Sequence, residues 1–294
     1  RAYFSLNARQ LEKKEKIALV IEGGGFKSVF SAGVLDAFLM NKFNPFDIYI
    51  GVSSGAMSLS YYIASQYKTY FSLSKEVSVN EKFLSYTHAL SEQGYMDLKF
   101  LTKYAQQNNP LELQKMKEST ENKQFYIVGT NLDNGEAVYL EPNKQNIYKC
   151  LQATSSLPFF TKGKCKINGV DLMDGAWSDP IPAKSAADFG ANKIIVIRPY
   201  PLGYKINGLS YLGLLAGYWW KNNPKVRDNF FKEDNNYNEA VDFLTKKHKN
   251  IEILQICPDN LLKSGVVGTS KEDLTQDYHC GLEKGMDFLS ANFL

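Results

Sequence analysis

The stretch IYIGVSSGAMSLSYYIASQ, residues 48 to 66, runs from a short β-branched apolar segment into a helical pattern with only a serine-glycine turn between them. Upstream lies a second stretch of the same build, KIALVIEGGGFKSVFSAGVLDAFLM. It has an apolar β-rich run, three glycines, and then Val29, Phe30, Val34, Leu35 and Phe38 at helical spacing. A strand that is apolar throughout is one covered on both faces, and strand-turn-helix units repeated in this way build a parallel sheet flanked by helices. The expectation is an α/β fold of three layers, α/β/α, around a mostly parallel central sheet.

The rest of the chain continues the pattern. QFYIVGTNLDNGEAVYLE reads as two strands around an Asp133-Asn134-Gly135 turn, a hairpin at a sheet edge. NIYKCLQATSSLP reads as a helix ended by Pro158, KCKINGVDLMDG as a hairpin over Asn168-Gly169, and NKIIVIRP as a buried strand stopped by Pro199. Residues 71 to 120 are polar and helix-like, and 201 to 235 are rich in aromatics without a clear period. After them NEAVDFLTKKH, IEILQIC and KEDLTQDYHCGLEKGMDFLSANF read as helix, strand and terminal helix. No linker or repeat interrupts the series, so residues 1–294 are read as one domain, with 201–294 an extension packed on it.

The 34 lysines and arginines against 31 acidic residues leave a net charge of +3, which gives no footprint for nucleic acid. Cys150, Cys165, Cys257 and Cys280 show no CxxC spacing and read as reduced, partly buried thiols. No apolar run approaches the roughly 18 to 20 residues that span a bilayer, and RAYFSLNARQLEKKEK is too polar for a signal sequence. A soluble, cytoplasmic protein is expected.

Three chemistries use a glycine-rich turn between strand and helix. A phosphate-binding P-loop needs glycine directly before Lys-Ser, and Phe26 precedes Lys27-Ser28 here. A dinucleotide fingerprint needs a third glycine where Ser28 stands and an acidic residue at the end of the second strand, whereas Asp47 begins it. The remaining use is an oxyanion hole, in which Gly23, Gly24 and Gly25 let backbone N–H groups converge on a developing negative charge and Lys27 reinforces the positive field. A tight turn without a ligand is the plain alternative. Gly51-Val52-Ser53-Ser54-Gly55 matches G-x-S-x-G, where a nucleophile on a sharp elbow needs small neighbours two residues away on each side. Only Ser53 has Gly51 and Gly55 at those positions, and Ser54 would offer its backbone N–H to the oxyanion.

A serine hydroxyl needs a base. His88, His248 and His279 lie in helical or polar segments and read as surface or helix-face residues. In VDLMDGAWSDPIP, Asp174 follows a β run and precedes Gly175-Ala176, two residues small enough for another backbone to approach. Asp174 is placed there either to accept the serine proton or, like Asp171 and Asp179, to cap a turn.

EGGGFK, GVSSG and DGA, in that order over residues 22 to 176, together resemble the patatin-like phospholipase family, whose members use a Ser-Asp dyad. GVLDAFL, ATSSLP and the Tyr278-x-x-Gly281 pattern resemble its bacterial branch, so the likeness covers nearly the whole chain. The resemblance implies a patatin-like fold, with Ser53 as nucleophile, Asp174 as base, and Gly23, Gly24, Gly25 and Lys27 in the oxyanion loop. It implies hydrolysis of a fatty acyl ester such as a phospholipid or lysophospholipid, without metal or cofactor. Acyl transfer from the same acyl-serine and non-catalytic lipid binding remain as alternatives. One departure stands out: the family loop continues Lys/Arg-Gly, and Ser28 occupies that glycine position here. GLSYLGLLAGYWW, residues 208 to 220, reads either as an interfacial flap giving peripheral membrane contact or as a packed helix.

Overall fold

The computed structural model describes residues 15–84, 96–157, 161, 165–208 and 210–293. β1 (Ile17–Ile21), β2 (Ile48–Val52), β3 (Gln124–Asn131), β4 (Ala137–Leu140), β5 (Cys165–Ile167), β6 (Val170–Asp174), β7 (Lys193–Ile197) and β8 (Glu252–Ile256) form one sheet. Its hydrogen-bonded order is β5-β6-β3-β2-β1-β7-β8, with β4 also paired to β3. From β3 through β2, β1 and β7 to β8 the pairing is parallel, whereas β4, β5 and β6 join antiparallel.

The helices are α1 (Val29–Met40), α2 (Ser54–Ile63), α3 (Thr69–Val77), α4 (Leu98–Asn108), α5 (Leu113–Ser119), α6 (Ile147–Thr154), α7 (Ala183–Asp188), α8 (Tyr211–Trp219), α9 (Pro224–Phe231), α10 (Glu233–Thr245) and α11 (Lys271–Asn292). Leu19, Ile21, Tyr49, Ile127, Ile195 and Ile197 pack with α1, α2, α6 and α11 on one face, while Val20, Ile50, Val52, Val128 and Val196 pack with α7 and α10 on the other. The period of two along each strand thus feeds two cores, which is why the strands read as unbroken apolar runs and why the fold has the three layers expected.

Three details differ from the sequence reading. The hairpin at Asp133-Asn134-Gly135 has only β4 at an edge; β3 lies inside the sheet, paired to β2, β4 and β6. The aromatic stretch after residue 200 holds α8 and α9, whose period is obscured because large apolar side chains also occur on their outer surfaces. α6 ends at Thr154, and Pro158 lies outside the described residues.

The C-terminal part is built into this architecture: β8 extends the sheet beyond β7, and α11 lies along α1. Glycines set that contact. A Cβ on Gly281 would collide with the Phe30 carbonyl, and one on Gly33 with the Tyr278 carbonyl. Tyr278 is buried there, donating to Asp36 Oδ2 at 2.7 Å and stacking on Phe71 at 4.1 Å. Gly281→Ala is therefore expected to cost about 2 to 3 kcal/mol and several degrees of Tm through overpacking; thermal unfolding reads this directly, and an unchanged Tm would mean the two helices do not approach so closely.

Candidate active site

β1 and β2 run side by side in register up to the pair Ile21–Gly51, so the turns that follow them emerge together at the carboxyl edge of the sheet, the edge where open α/β sheets bind ligands. Glu22 and Gly23-Gly24-Gly25 leave β1 and enter a 3-10 turn, Gly25–Ser28, ahead of α1. Ser53 leaves β2 at φ 54° and ψ −132°, a backbone state costly for any residue with a Cβ, and α2 starts at the next residue. The flanking glycines sit where the elbow touches its surroundings. A Cβ on Gly51 would press on Ala56, and one on Gly55 on the Glu22 carbonyl.

Asp174 arrives from the opposite direction. β4 occupies one edge of β3, so β2 and β6 share the other: Val52 pairs with Val128, and Asp174 with the next residue, Gly129. β2 runs parallel to β3 and β6 antiparallel, so their carboxyl ends meet head to head. Ser53 Oγ donates to Asp174 Oδ2 at 2.7 Å. The other carboxylate oxygen accepts the Ala176 N–H at 2.9 Å, the Asp174 N–H donates to the Ser156 carbonyl at 2.9 Å, and Thr130 Oγ1 donates to the Asp174 carbonyl at 2.8 Å. Gly175 abuts the Val128 carbonyl, where a Cβ would collide. Thr154, the last residue of α6, closes the junction by accepting the Ser53 N–H at 2.8 Å and donating to the Val128 carbonyl. Only 1% of Asp174 is exposed; burial pushes its carboxyl up to about 6, against the lowering effect of the Ala176 amide and the Ser53 hydroxyl.

The glycine loop lies against this elbow. Gly25 has φ 60° and meets the Val266 carbonyl so closely that a Cβ would overlap it. Ser54 Oγ accepts the Gly24 N–H at 3.2 Å and pairs with Ser28 Oγ at 2.7 Å. Ser28, which stands where the resembled loop has glycine, sits there without strain: its φ is −66°, and its hydroxyl ties the loop to the elbow. Lys27 lines no part of the cavity. Its Nζ donates to the carbonyls of Ser264 at 2.7 Å and Leu262 at 3.5 Å, which makes it a tether for the 262–266 segment.

These residues open onto a cavity of about 400 Å³. Met57, Leu73, Val77, Phe83, Leu98 and Leu101 form an apolar wall; Trp177, Tyr200, Ile206, Tyr237 and Val266 contribute another side. Among the described residues that line it there is no lysine, arginine or histidine. His248 bonds the Phe243 carbonyl and His279 packs against Tyr278, while His88 lies outside the described residues. Ser155 Oγ and Trp177 Nε1, both on residues lining the cavity, are buried and have no hydrogen-bond partner among the described residues. Beside the loop, fully buried Arg198 donates from Nε to Glu22 Oε2 at 2.8 Å and from Nη2 to Tyr237 Oη at 3.0 Å, and Tyr237 donates to Glu22 Oε1 at 2.6 Å. Sequence reasoning singled out neither Thr154 nor this triad. The signals were a polar ATSS run closing α6 and a charged residue directly after the buried strand IIVI.

A family model described as patatin-like phospholipase matches residues 19–187, more than half of the chain. The chain belongs to the patatin-like phospholipase family. Membership makes lipid acyl hydrolysis its general class of activity. A second family model, a domain of unknown function named DUF6363, matches residues 223–293 of this patatin-like chain, from α9 through α11. The uncharacterized protein YjjU of Escherichia coli K12 is 30% identical over 286 residues, covering 94% of this chain and 78% of that one. Among solved structures, VipD from Legionella pneumophila aligns over 94% of this chain and 67% of its own length, with 12% identity and a TM-score of 0.48.

Proposed function

We propose that the protein hydrolyses fatty acyl esters of the phospholipid or lysophospholipid type through an acyl-Ser53 intermediate. The observation that carries this reading is the 2.7 Å hydrogen bond from Ser53 Oγ to a buried Asp174 at the head of an apolar cavity, within the reach required of a nucleophile and its base. Asp174 takes the Ser53 proton as Oγ attacks the ester carbonyl and returns it to the leaving alcohol; it then draws a proton from the water that attacks the acyl-Ser53 carbonyl and passes that proton to Ser53 Oγ as the fatty acid leaves.

The oxyanion is held by backbone N–H groups of the Gly23-Gly24-Gly25 loop and of Ser54. Helix geometry leaves the first-turn amides of Gly25 and Ser54 without intrahelical acceptors. The Gly24 N–H rests on a neutral hydroxyl at 3.2 Å, the long end of the normal range, and an oxyanion is the stronger acceptor. Ser155 Oγ and Trp177 Nε1 are donors that substrate oxygens would satisfy. The apolar wall takes the acyl chain, and contact with a lipid surface belongs to the same reading.

The test is a pH profile on a p-nitrophenyl ester. Asp174 acts as base only when ionised, so kcat/KM should rise with pH, change roughly tenfold per pH unit on the acid side, and level off above an apparent pKa near 6. A flat profile from about pH 5 to 8, with chemistry rate-limiting, would remove Asp174 from the base role.

A further inference from the structure

α8 is built inside out for a helix on a water-soluble surface. Its small residues, Gly213, Ala216 and Gly217, are the buried ones, and a Cβ on Gly217 would run into the ring of Phe231 on α9. Its large residues face outward: Leu214 is 47% exposed, Leu215 39%, Tyr218 68% and Trp219 71%. Leu214 and Tyr218, like Leu215 and Trp219, are four residues apart, so the four side chains form one stripe, and Phe231 adds a fifth large apolar group, 39% exposed. Scattered apolar residues on a surface need no account, but a stripe that takes every large described side chain of a helix does.

We propose that α8 and the turn into α9 form a docking surface for an anionic lipid bilayer. Three observations select that occupant. The stripe ends in Tyr218 and Trp219, side chains with an apolar body and a polar tip that settle at the boundary between hydrocarbon and water. The charge beside it is basic: residues 211–232 hold Lys221, Lys225, Arg227 and Lys232 against one acid, Asp228, which Arg227 already engages at 2.9 Å. All three lysines are exposed. Finally, the helix starts at the cavity rim. Ser210, its N-cap, and Glu233, which accepts the Ser210 hydroxyl at 2.6 Å, both line the cavity, so a bilayer seated on α8 lies beside the opening.

The experiment is flotation of the full chain with vesicles of phosphatidylcholine, with and without phosphatidylglycerol, comparing wild type with Tyr218→Ser/Trp219→Ser and Lys221→Glu/Lys225→Glu. Wild type is expected to float with the phosphatidylglycerol vesicles. Each reversed lysine should weaken partitioning at least about fivefold, and the aromatic pair should abolish it, while turnover of a water-soluble ester stays within about twofold. Flotation needs no catalysis, so a failure of the hydrolase reading shows only in the ester assay. The proposal is overturned if wild type stays unbound, if the variants float as well as wild type, or if light scattering reveals a lipid-free dimer that Tyr218→Ser/Trp219→Ser dissolves, which would give the surface to a second copy of the chain.

Discussion

Ser53→Ala should lower ester turnover by about ten-thousandfold or more and abolish labelling by a fluorophosphonate probe, which peptide mapping of the wild type should place on Ser53 alone. The size of the effect follows from the lack of a substitute among the described residues: no described histidine lines the cavity, and the neighbouring Ser54 spends its hydroxyl on Gly24 and Ser28. Ser53 also carries a conformational cost, because its φ of 54° and ψ of −132° belong to a region where a side chain costs of order 1 to 3 kcal/mol. Alanine keeps that cost and glycine removes it, less the extra freedom glycine has when unfolded. Both variants lose the bond to Asp174, so comparing them isolates the strain: Ser53→Gly should be more stable than Ser53→Ala by about 1 kcal/mol in urea unfolding. An alanine variant as stable as the glycine one would mean an unstrained elbow, and labelling that survives in either would put the nucleophile elsewhere.

What the sequence made legible was local. The strand-turn-helix units at 17–40 and 48–63 announce themselves because each strand is apolar on both faces and each turn holds glycines. The same two units place the glycine loop beside Ser53, since consecutive parallel strands tend to be neighbours. The route by which Asp174 reaches Ser53 was not legible. It depends on β2 and β6 sharing one edge of β3 and stopping at adjacent residues, Val128 and Gly129, a register set by long-range pairing that no window of sequence contains. Arg198 was hidden for a similar reason: its partners Glu22 and Tyr237 are 176 and 39 residues away. Lys27 shows the converse, a residue whose motif suggested a charge at the oxyanion and whose side chain is spent on carbonyls of the C-terminal segment. The cavity wall from 201–294 was equally out of reach, because apolar residues at 206 and 266 carry no sign of facing the same space as Ser53.

Asp174→Asn should separate catalysis from stability most clearly. The amide keeps the geometry: Oδ1 still accepts the Ala176 N–H, and Nδ2 takes the place of the oxygen now bonded to Ser53. It cannot take the serine proton, so turnover should fall about ten-thousandfold and probe labelling should slow sharply. Stability should move the other way at high pH. A carboxyl whose ordinary value of 3.8 is pushed to about 6 by burial disfavours its charged form in the folded chain by about 3 kcal/mol. The sign follows from where each state releases the proton. Below about pH 4 both folded and unfolded chains are protonated and there is no penalty; between about pH 4 and 6 only the unfolded chain ionises and the penalty grows; above about pH 6 it is complete. The asparagine variant never incurs it but leaves one amide hydrogen unpaired, at about 1 to 3 kcal/mol at every pH. Relative to wild type, then, the variant should gain about 3 kcal/mol of unfolding free energy between pH 4 and pH 8, passing from less stable at the acid end to equal or more stable at the alkaline end. A pH-independent difference would show that Asp174 ionises as easily in the folded chain as in the unfolded one, and a carboxylate of that kind would be too weak a base to activate Ser53.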